Sequence, residues 1–449
     1  MTAARFPAAG LAVQLGQRIV DGVARDVRAS VRGGRARRRG DASGGAELTD
    51  FDPFDAAVIR DPYPRYERLL DGPRLHYNPR RRVWILSRHD DVRAAAHDHS
   101  ALSSADGVLF LRRPLPMLLT MDRPEHARLR RAVARHFTHE ALERRRPAIE
   151  AIVAAAFERV VGIGEIDAAA ELATPVPVDV IAELLGVPRA HRTRFRAWSD
   201  DIVVGFSLAP GNLMRASASV IPAIFRLHSY FNATFRERRH APADDLVSHL
   251  TVSSDEGQLS AEELFWFTLL LLVAGNETTT NLLGTMLLTL AQEPEAFQRL
   301  RHEPNLIPAA VEESLRLHSP IQAFYRTSLA PYQVGEATVP TGGRVLLLFG
   351  AANRDPRRYE RPEHYVIDRG PSDHLAFGAG IHFCLGAHLA RLEATIVLRQ
   401  LTERVAGLQL VGEPVWTNNP ALRGLQLLPL RFEPRGSDAH TVEAQDSVP

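Results

Sequence analysis

The chain has 449 residues, of which 45% are hydrophobic, and its formal net charge is +1. This composition is typical of a globular protein with a large core, and the balanced charge gives no field that would attract nucleic acid. The single cysteine excludes an internal disulfide framework and a zinc or iron–sulfur site built from cysteines alone. From length alone we expect two or three domains, or one large enzyme domain.

The first 49 residues are more basic than the rest of the chain. They contain nine arginines against four acidic residues, a local net charge of +5 (9 − 4). Apolar residues recur there every four positions and predict an amphipathic helix, and Arg32–Gly45 predicts a flexible linker after it. The apolar side of this helix consists of Leu11, Leu15, Ile19 and Val23. Such an arm suits contact with an anionic membrane surface, and a locally docked or unstructured arm is the alternative.

The longest predicted helix begins at a capping box formed by Ser260 and Glu263 and ends at Gln292, before a proline. It is apolar nearly all round from Phe265 to Val273, which predicts a buried helix. A membrane-spanning helix needs about 20 consecutive apolar residues, and every apolar run in the chain is far shorter than that. We therefore expect no transmembrane span.

A polar segment, Ala274–Thr279 (AGNETT), interrupts this helix. A buried helix has no structural need for such residues: Gly275 costs about 1 kcal/mol relative to alanine, and Glu277 resists burial unless it is paired or protonated. We therefore predict a local bulge at which the acid and a neighbouring hydroxyl pass protons to a buried site. A polar patch that faces a neighbouring loop is the alternative.

The only cysteine, Cys384, lies in the segment Phe377–Glu393, FGAGIHFCLGAHLARLE. Glycines precede it, and apolar residues spaced four, three and four apart follow it as one side of a helix. Cys384 is therefore predicted where a loop enters a helix N-terminus, whose dipole and unpaired N–H groups favour a thiolate. Gly386 keeps the first turn small beside the sulfur. We interpret the segment as a thiolate offered to a metal that a cofactor holds; a buried, inert cysteine is the alternative.

Two pairs of charged residues have the spacing of one helix face. His126 and Arg130 stand four apart and could bind a pair of carboxylates, although each alone is more typical of a solvated surface residue. Glu313 and Arg316 stand three apart and can pair; if buried, the pair must be fully hydrogen-bonded and fixes geometry. Arg326 follows on a predicted strand, where the pattern leaves open whether it points inward or to water.

Together these motifs resemble the cytochrome P450 family of haem-thiolate monooxygenases, of the soluble bacterial type. FGAGIHFCLG matches the haem-binding signature and places the iron ligand on Cys384. AGNETT matches the oxygen-activating helix motif, with its acid on Glu277 and its hydroxyl on Thr278. Glu313 and Arg316 match the family's Glu-x-x-Arg pair.

The resemblance implies a single triangular domain over residues 50–435, mainly α with a small β region (α+β), in which the long central helix crosses over haem b. Residues 1–49 remain a separate basic arm, and we expect residues 436–449 to form a disordered tail. The Cys384 thiolate is the implied axial ligand. The haem propionates are expected on His126, Arg130, Arg326 and His382, and further haem contacts on Ala274, Gly275, Phe377, Gly378 and Gly386.

The implied activity is the insertion of one atom of O2 into a hydrophobic small molecule. Hydroxylation is the expected reaction, and epoxidation, demethylation and aryl coupling are the alternatives. Glu277 and Thr278 are the implied catalytic residues. Their presence argues against the peroxide-using members of the family and against a haem-thiolate sensor without turnover, which is the alternative reading. The electrons are then expected from a ferredoxin and its reductase, docked on Arg128, Arg131 and Arg391.

The implied substrate pocket is largely apolar, with Gln322 as a hydrogen-bonding handle. Its expected lining is Val108, Leu109, Phe110, Leu271, Ile321, Gln322, Ala323 and Phe324. We expect a cytoplasmic monomer without nucleic-acid partners, and the basic arm leaves a peripheral membrane contact open.

Overall fold

The computed structural model describes residues 7, 8, 10–12, 17, 43–110, 112, 115–206, 213–255, 258–370 and 372–435. The α-helices of this part of the chain are α1 (Ala56–Arg60), α2 (Tyr63–Asp71), α3 (His89–His97), α4 (Glu125–Ala134), α5 (His139–Glu143), α6 (Arg146–Val160), α7 (Pro175–Leu184), α8 (Arg192–Phe206), α9 (Leu213–His240), α10 (Leu246–Asp255), α11 (Ala261–Gln292), α12 (Pro294–His302), α13 (Ile307–His318), α14 (Phe349–Ala352) and α15 (Ala387–Arg404). The strands are β1 (Glu47–Leu48), β2 (His76–Asn78), β3 (Val83–Leu86), β4 (Leu102–Ser103), β5 (Glu165–Asp167), β6 (Ala323–Ser328), β7 (Tyr332–Val334), β8 (Ala337–Val339), β9 (Arg344–Leu348), β10 (Val405–Leu410), β11 (Val415–Trp416), β12 (Leu425–Leu427) and β13 (Pro429–Pro434).

The described part is mainly helical with a small β region, which confirms the predicted fold class. Its largest sheet has the strand order β1-β2-β3-β9-β6-β4. Side chains alternate between its two faces: Val345 and Leu347 of β9 join one core cluster, and Leu346 and Leu348 join another. Because both faces are covered, every residue of β9 is buried. None of the helices among the described residues is long and apolar enough to cross a membrane.

The start of the domain lies earlier than predicted. β1 pairs in parallel with β2, and the indole N–H of Trp84 donates to the Ser43 carbonyl at 2.9 Å. Residues 43–49 therefore belong to the folded domain, and the predicted boundary at residue 50 is several residues late. Most of the predicted arm, including Leu15, Ile19 and Val23, and the tail 436–449 lie outside the described residues. Leu11 is fully buried in the main core.

The central helix α11 has the predicted bounds. The Ser260 hydroxyl accepts from the backbone N–H of Glu263 at 3.1 Å, and the Glu263 carboxylate accepts from the N–H of Ser260 at 2.9 Å. This reciprocal cap satisfies two of the N–H groups that a helix start leaves unpaired. From Leu264 onward the helix is largely buried, and it packs against α7, α13 and α15. α11 therefore forms the middle of the main core.

The predicted bulge in α11 is wrong. The helix is α-helical without interruption from Ala261 to Gln292. The Thr278 hydroxyl donates to the Ala274 carbonyl at 2.6 Å, so it bonds one turn back along the helix without opening it. A Cβ atom at Gly275 would lie 2.8 Å from Cδ1 of Ile181 on α7. Gly275 thus lies against the tip of the Ile181 side chain in a regular stretch of helix.

The Glu313–Arg316 pair is buried and fully hydrogen-bonded, as we predicted for the case in which the pair is buried. Two parallel hydrogen bonds of 2.7 Å join the guanidinium to the carboxylate. Arg316 also donates to the carbonyls of Asn353 and Pro362, each at 2.8 Å. Arg369, which sequence reasoning missed, donates to Glu313 at 3.0 Å. The network fastens the irregular segment 353–369, which leads to the cysteine, onto α13.

Candidate active site

A cavity lies between α11, α4, β6 and the segment 377–386, which we call the cysteine loop. All the predicted catalytic, metal-ligating and cofactor-binding residues line it: Glu277, Thr278, Cys384, His126, Arg130, Ala274, Gly275, Arg326, Phe377, Gly378, His382 and Gly386. The structure therefore brings together residues from four separate parts of the chain around one space.

The cysteine loop is shaped by two left-handed glycines. Gly378 and Gly380 each have φ +68°, and a Cβ atom at Gly380 would lie 2.5 Å from the Ala96 carbonyl oxygen at the end of α3. The backbone N–H of Cys384 donates to the Phe377 carbonyl at 2.9 Å and closes the loop. Only glycine tolerates this combination of φ and close approach, so α3 and the loop together fix where the sulfur sits.

The sulfur is not ionised by the helix terminus alone. α15 begins at Ala387, and burial raises the pKa of the Cys384 thiol, whereas the Gly386 N–H, Arg130 and Arg391 lower that pKa. Burial is the largest of these influences, so the predicted helix-terminus effect is outweighed in the protein by itself. Metal coordination deprotonates a thiol outright. A Cβ atom at Gly386 would lie 4.0 Å from the sulfur, an ordinary contact, so crowding does not explain that glycine.

Two histidines and two arginines, from α4, β6 and the cysteine loop, line the same cavity. The rings of His126 and His382 meet edge to face with centroids 4.6 Å apart, and the Nε2 atom of each is buried without a hydrogen-bond partner among the described residues. Arg130 donates to the Ile381 carbonyl at 3.2 Å, and Arg326 to the Tyr325 carbonyl at 3.0 Å.

Burial dominates the electrostatics of this cluster. It lowers the pKa of His126 to about 4 and that of Arg326 to about 10. Buried cations and orphaned ring nitrogens are costly unless an anion pairs with them. The cluster therefore fits a group with two carboxylates in the cavity, as the propionates of a haem would supply.

The acid of α11 is mostly buried. Burial raises the pKa of Glu277 to about 7; a hydrogen bond from the side chain of Asn419 lowers that pKa, and Asp200 on α8 raises it further. Its Oε2 atom is buried and has no hydrogen-bond partner among the described residues. An acid with such a pKa exists in both protonation states near neutral pH, which suits proton transfer.

Five of the eight predicted substrate residues line the cavity, and three do not. Those that do are Val108, Leu109, Leu271, Ile321 and Phe324. The prediction was wrong for Phe110, which packs edge to face on Phe54 and Tyr325, and for Ala323, which is buried in the sheet. Leu118, Ile181 and Phe267 also line the cavity, and no sequence signal pointed to them.

The predicted polar handle, Gln322, is also wrong. Its Oε1 accepts from the Tyr66 hydroxyl at 3.0 Å, and its Nε2 donates to the carbonyls of His318 and Ser319 at 2.6 and 2.7 Å. Because both ends of the amide are used within the protein, none is left for a ligand. Gln322 holds β6 to the end of α13.

Two of the three arginines predicted to dock an acidic partner are already paired. Arg391 donates to Glu312 at 2.6 and 2.8 Å and lies 4.6 Å above the Phe377 ring. Arg128 pairs with the carboxylate of Glu263. Arg131 is exposed. The positive charge that these residues offer at the surface is therefore smaller than the sequence suggested.

Comparison with known proteins agrees with this geometry. The family model for cytochrome P450 matches residues 74–405. A beta-dihydromenaquinone-9 omega-hydroxylase of Mycobacterium tuberculosis is 42% identical over 396 residues, which are 87% of this chain and 80% of that protein. The cytochrome P450 monooxygenase PikC of Streptomyces venezuelae is 38% identical over 87% of this chain and 96% of its own.

Solved structures show the same fold. The crystal structure of CYP109E1 from Bacillus megaterium in complex with testosterone superposes with a TM-score of 0.77 at 34% identity, covering 84% of this chain and 98% of that chain. Relatives above 30% identity thus cover most of the chain, and its one cysteine and its cluster of two histidines and two arginines fit the thiolate and the propionates of a haem. The chain belongs to the cytochrome P450 family: it is a monooxygenase whose haem has the Cys384 thiolate as axial ligand.

Proposed function

We propose that this cytochrome P450 hydroxylates a neutral, apolar small molecule, with protons delivered through Glu277 and Thr278 and electrons supplied by a ferredoxin and its reductase. One observation carries the proposal: Glu277, Thr278 and Cys384 line the same cavity, whose remaining wall is largely apolar apart from the cluster of His126, Arg130, Arg326 and His382. A protein that only bound haem and a ligand, such as a sensor, would have no use for a buried acid whose pKa is about 7.

The haem would be held by Cys384 at its iron and by His126, Arg130, Arg326 and His382 at its propionates. When bound, a haem with a thiolate ligand supplies the oxygen activation, because the thiolate favours O–O cleavage. The protein's own contribution is to place an acid and a hydroxyl beside that chemistry and to keep bulk water out. The apolar wall of the cavity serves the second purpose.

Proton delivery would use the two protonation states of Glu277. At a pKa of about 7 the carboxyl releases and regains a proton at similar cost near neutral pH. The Thr278 hydroxyl, on the next residue, donates to the Ala274 carbonyl, and rotation about its Cα–Cβ bond would let Oγ1 hold a proton toward the cavity. Glu277 thus exchanges protons with solvent, and Thr278 passes them on.

The substrate would be selected by shape and apolar contact. Val108, Leu109, Leu271, Ile321 and Phe324 present only hydrocarbon to the cavity, and Gln322 is not available as a handle. The relative that hydroxylates dihydromenaquinone and the neighbour crystallised with testosterone both suggest ligands of this kind. We therefore favour a neutral substrate without a charged anchor.

The first test is a substrate panel read by the change in haem spin state, followed by mass analysis of the products. The panel should contain dihydromenaquinone, testosterone and a fatty acid of similar length. We expect a spin-state shift and a product one oxygen atom heavier with a neutral compound. A shift with the fatty acid alone would contradict the proposed substrate class, and a folded, reducible enzyme that oxidises none of a broad panel would favour the sensor.

The electron partner is tested separately. Arg131 is the exposed member of the predicted docking set, so Arg131→Glu should slow reduction by a ferredoxin without changing substrate affinity. Arg431→Glu, on β13, is the matched charge reversal elsewhere. Equal reduction rates in the two variants would rule out this docking site.

We also propose that the protein is a cytoplasmic monomer.

A further inference from the structure

We propose that Arg344 is a positioning residue for substrate specificity: it fixes the backbone of residues 107–109, and thereby the part of the cavity wall that Val108 and Leu109 form. The inference deepens the proposed function and rests on the assignment there of Val108 and Leu109 to the substrate wall. Arg344 itself lies on β9, does not line the cavity and belongs to none of the sequence motifs.

The segment that carries Val108 and Leu109 has no helix or strand of its own. It follows β4 as an irregular stretch, and Gly107 within it has φ +92°. Such a stretch holds one conformation only if its backbone polar groups find partners elsewhere in the protein. Three successive carbonyls, those of residues 107, 108 and 109, do find such partners.

Arg344 supplies the partner for two of these three carbonyls. Its Nη2 atom donates to the Gly107 carbonyl at 2.6 Å and also to the Leu109 carbonyl. The backbone N–H of Tyr325 on β6 donates to the Val108 carbonyl between them at 2.8 Å. One guanidinium group therefore holds the segment on both sides of Val108, and the sheet holds its middle.

The guanidinium is fixed in turn by the sheet. Arg344 and Thr327 are direct cross-strand partners on β9 and β6, and the Nη1 atom of Arg344 donates to the Thr327 hydroxyl at 3.0 Å. That hydroxyl donates to the Asp106 carboxylate at 3.0 Å, so the series of bonds returns to the residue before Gly107. The guanidinium also lies 5.3 Å from the centroid of the Tyr325 ring.

Plain filling of the core does not account for a guanidinium at this position. Arg344 is 5% exposed, and burial lowers its pKa to about 9. The next four residues of β9 are the apolar Val345–Leu348. An apolar side chain at position 344 would avoid the cost of burying a charge. The hydrogen bonds that offset this cost go to the segment behind Val108 and Leu109, which is where the guanidinium acts.

A wall that selects by shape discriminates only while its side chains keep their places. The presence or absence of one methylene group in an apolar pocket changes discrimination about 10–200-fold. A displacement of Val108 and Leu109 would enlarge the space that a substrate can occupy. Loss of the Arg344 hydrogen bonds should therefore weaken substrate binding and spread oxidation over more positions, while the Cys384 ligand stays in place.

The test uses the haem-loaded enzyme and Arg344→Lys, which keeps the positive charge but replaces the forked donors by one ammonium group. The first readout, amide hydrogen exchange, needs no substrate. Exchange should rise several-fold in residues 107–110 and stay unchanged in the cysteine loop. If Arg344→Lys does not fold, Thr327→Val takes its place, because it removes the hydroxyl that orients the guanidinium; Thr327→Ser keeps the hydroxyl and should match the unmodified enzyme.

The second readout is the binding of phenylimidazole, which ligates haem iron through its nitrogen and packs its ring in the cavity. Its dissociation constant, read from the Soret shift, should rise about tenfold in Arg344→Lys, within the range that a poorer apolar fit produces. Imidazole without the ring should bind unchanged. With the panel compound that gives the largest spin-state shift, the variant should form more than one oxidised product with little change in kcat.

Arg301→Lys is the matched control. Arg301 on α12 also donates to a backbone carbonyl of a distant segment, that of Ala406 at 3.1 Å, but it does not line the cavity or touch its wall. This variant should match the unmodified enzyme in exchange at residues 107–110, in phenylimidazole binding and in product distribution.

Several results would overturn the inference. Unchanged exchange in residues 107–110 of Arg344→Lys would show that the bonds do not hold the segment, and unchanged phenylimidazole binding would show that the segment does not set the wall. Equal weakening of imidazole binding, or equal effects in Arg301→Lys, would assign the changes to general loosening. If only the fatty acid shifts the spin state, or no panel compound does, the proposed substrate class fails instead, and exchange and phenylimidazole binding still decide on Arg344.

Discussion

Replacement of Glu313 by glutamine should destabilise the folded protein by about 3–5 kcal/mol, the usual cost of leaving a buried charge without its partner. Glu313 is 2% exposed and accepts from Arg316 at 2.7 Å, from Arg369 at 3.0 Å and from the N–H of Val366 at 3.0 Å. Glutamine keeps the shape but removes the negative charge, so two guanidinium groups remain without compensation. Arg316 is fully buried, whereas the side chain of Arg369 is 14% exposed and reaches water, so the loss should lie toward the lower end of this range.

The assay is denaturant-induced unfolding, with retention of haem measured on the same samples. Haem retention should fall together with stability, because the network fastens the segment that leads to the cysteine loop. Glu165→Gln is the matched control, since it breaks an exposed pair with Arg431, and such pairs contribute about 0–1 kcal/mol. A loss in Glu313→Gln no larger than in the control would refute the reasoning that burial makes this pair costly to break.

Three further predictions concern the site. The pKa of Glu277 is raised from 4.5 to about 7, so the folded protein holds this proton more tightly than the unfolded chain does. The resulting contribution to the free energy of unfolding, about 3 kcal/mol, is fully present below pH 4.5 and is lost as the pH rises through 7. Glu277→Gln should therefore gain stability over the unmodified protein at pH 8 and not at pH 4.5, and equal differences in unfolding free energy at both pH values would contradict this. Gly380→Ala should lose haem and at least about 1 kcal/mol of stability, more than Gly342→Ala, which has φ +77° but nothing within 4 Å; equal losses would mean that the contact with Ala96 is unimportant. Thr278→Ala should keep the haem spectrum and raise peroxide release, and unchanged release would remove Thr278 from proton delivery.

Local patterns predicted the features that depend on neighbours in the sequence. The bounds of α11 follow from a capping box and a proline, and the Glu313–Arg316 pair from its spacing on one helix face. The resemblance placed all of its cofactor-binding residues around one cavity. The helix bounds and the ion pair were predictable because capping and helix spacing use residues that are close along the chain, whereas the haem contacts stay a prediction of the resemblance.

Features that depend on distant contacts could not be predicted. Arg369 meets Glu313 only across an irregular segment, more than 50 residues further along the chain. Gln322 has the polarity of a ligand handle, but tertiary hydrogen bonds consume its amide. The bulge in α11 was predicted from composition, whereas the structure has a regular helix there, with Gly275 packed against Ile181 of a neighbouring helix.

The central claim, that Cys384 offers a thiolate to haem iron, is tested most directly by the difference spectrum of the reduced protein with and without carbon monoxide. The folded, haem-loaded protein should show the red-shifted Soret band of a thiolate-ligated haem, and Cys384→Ser should bind haem without that band. A haem-loaded, folded protein that lacks the band before any substitution, or a Cys384→Ser variant that retains it, would contradict the account.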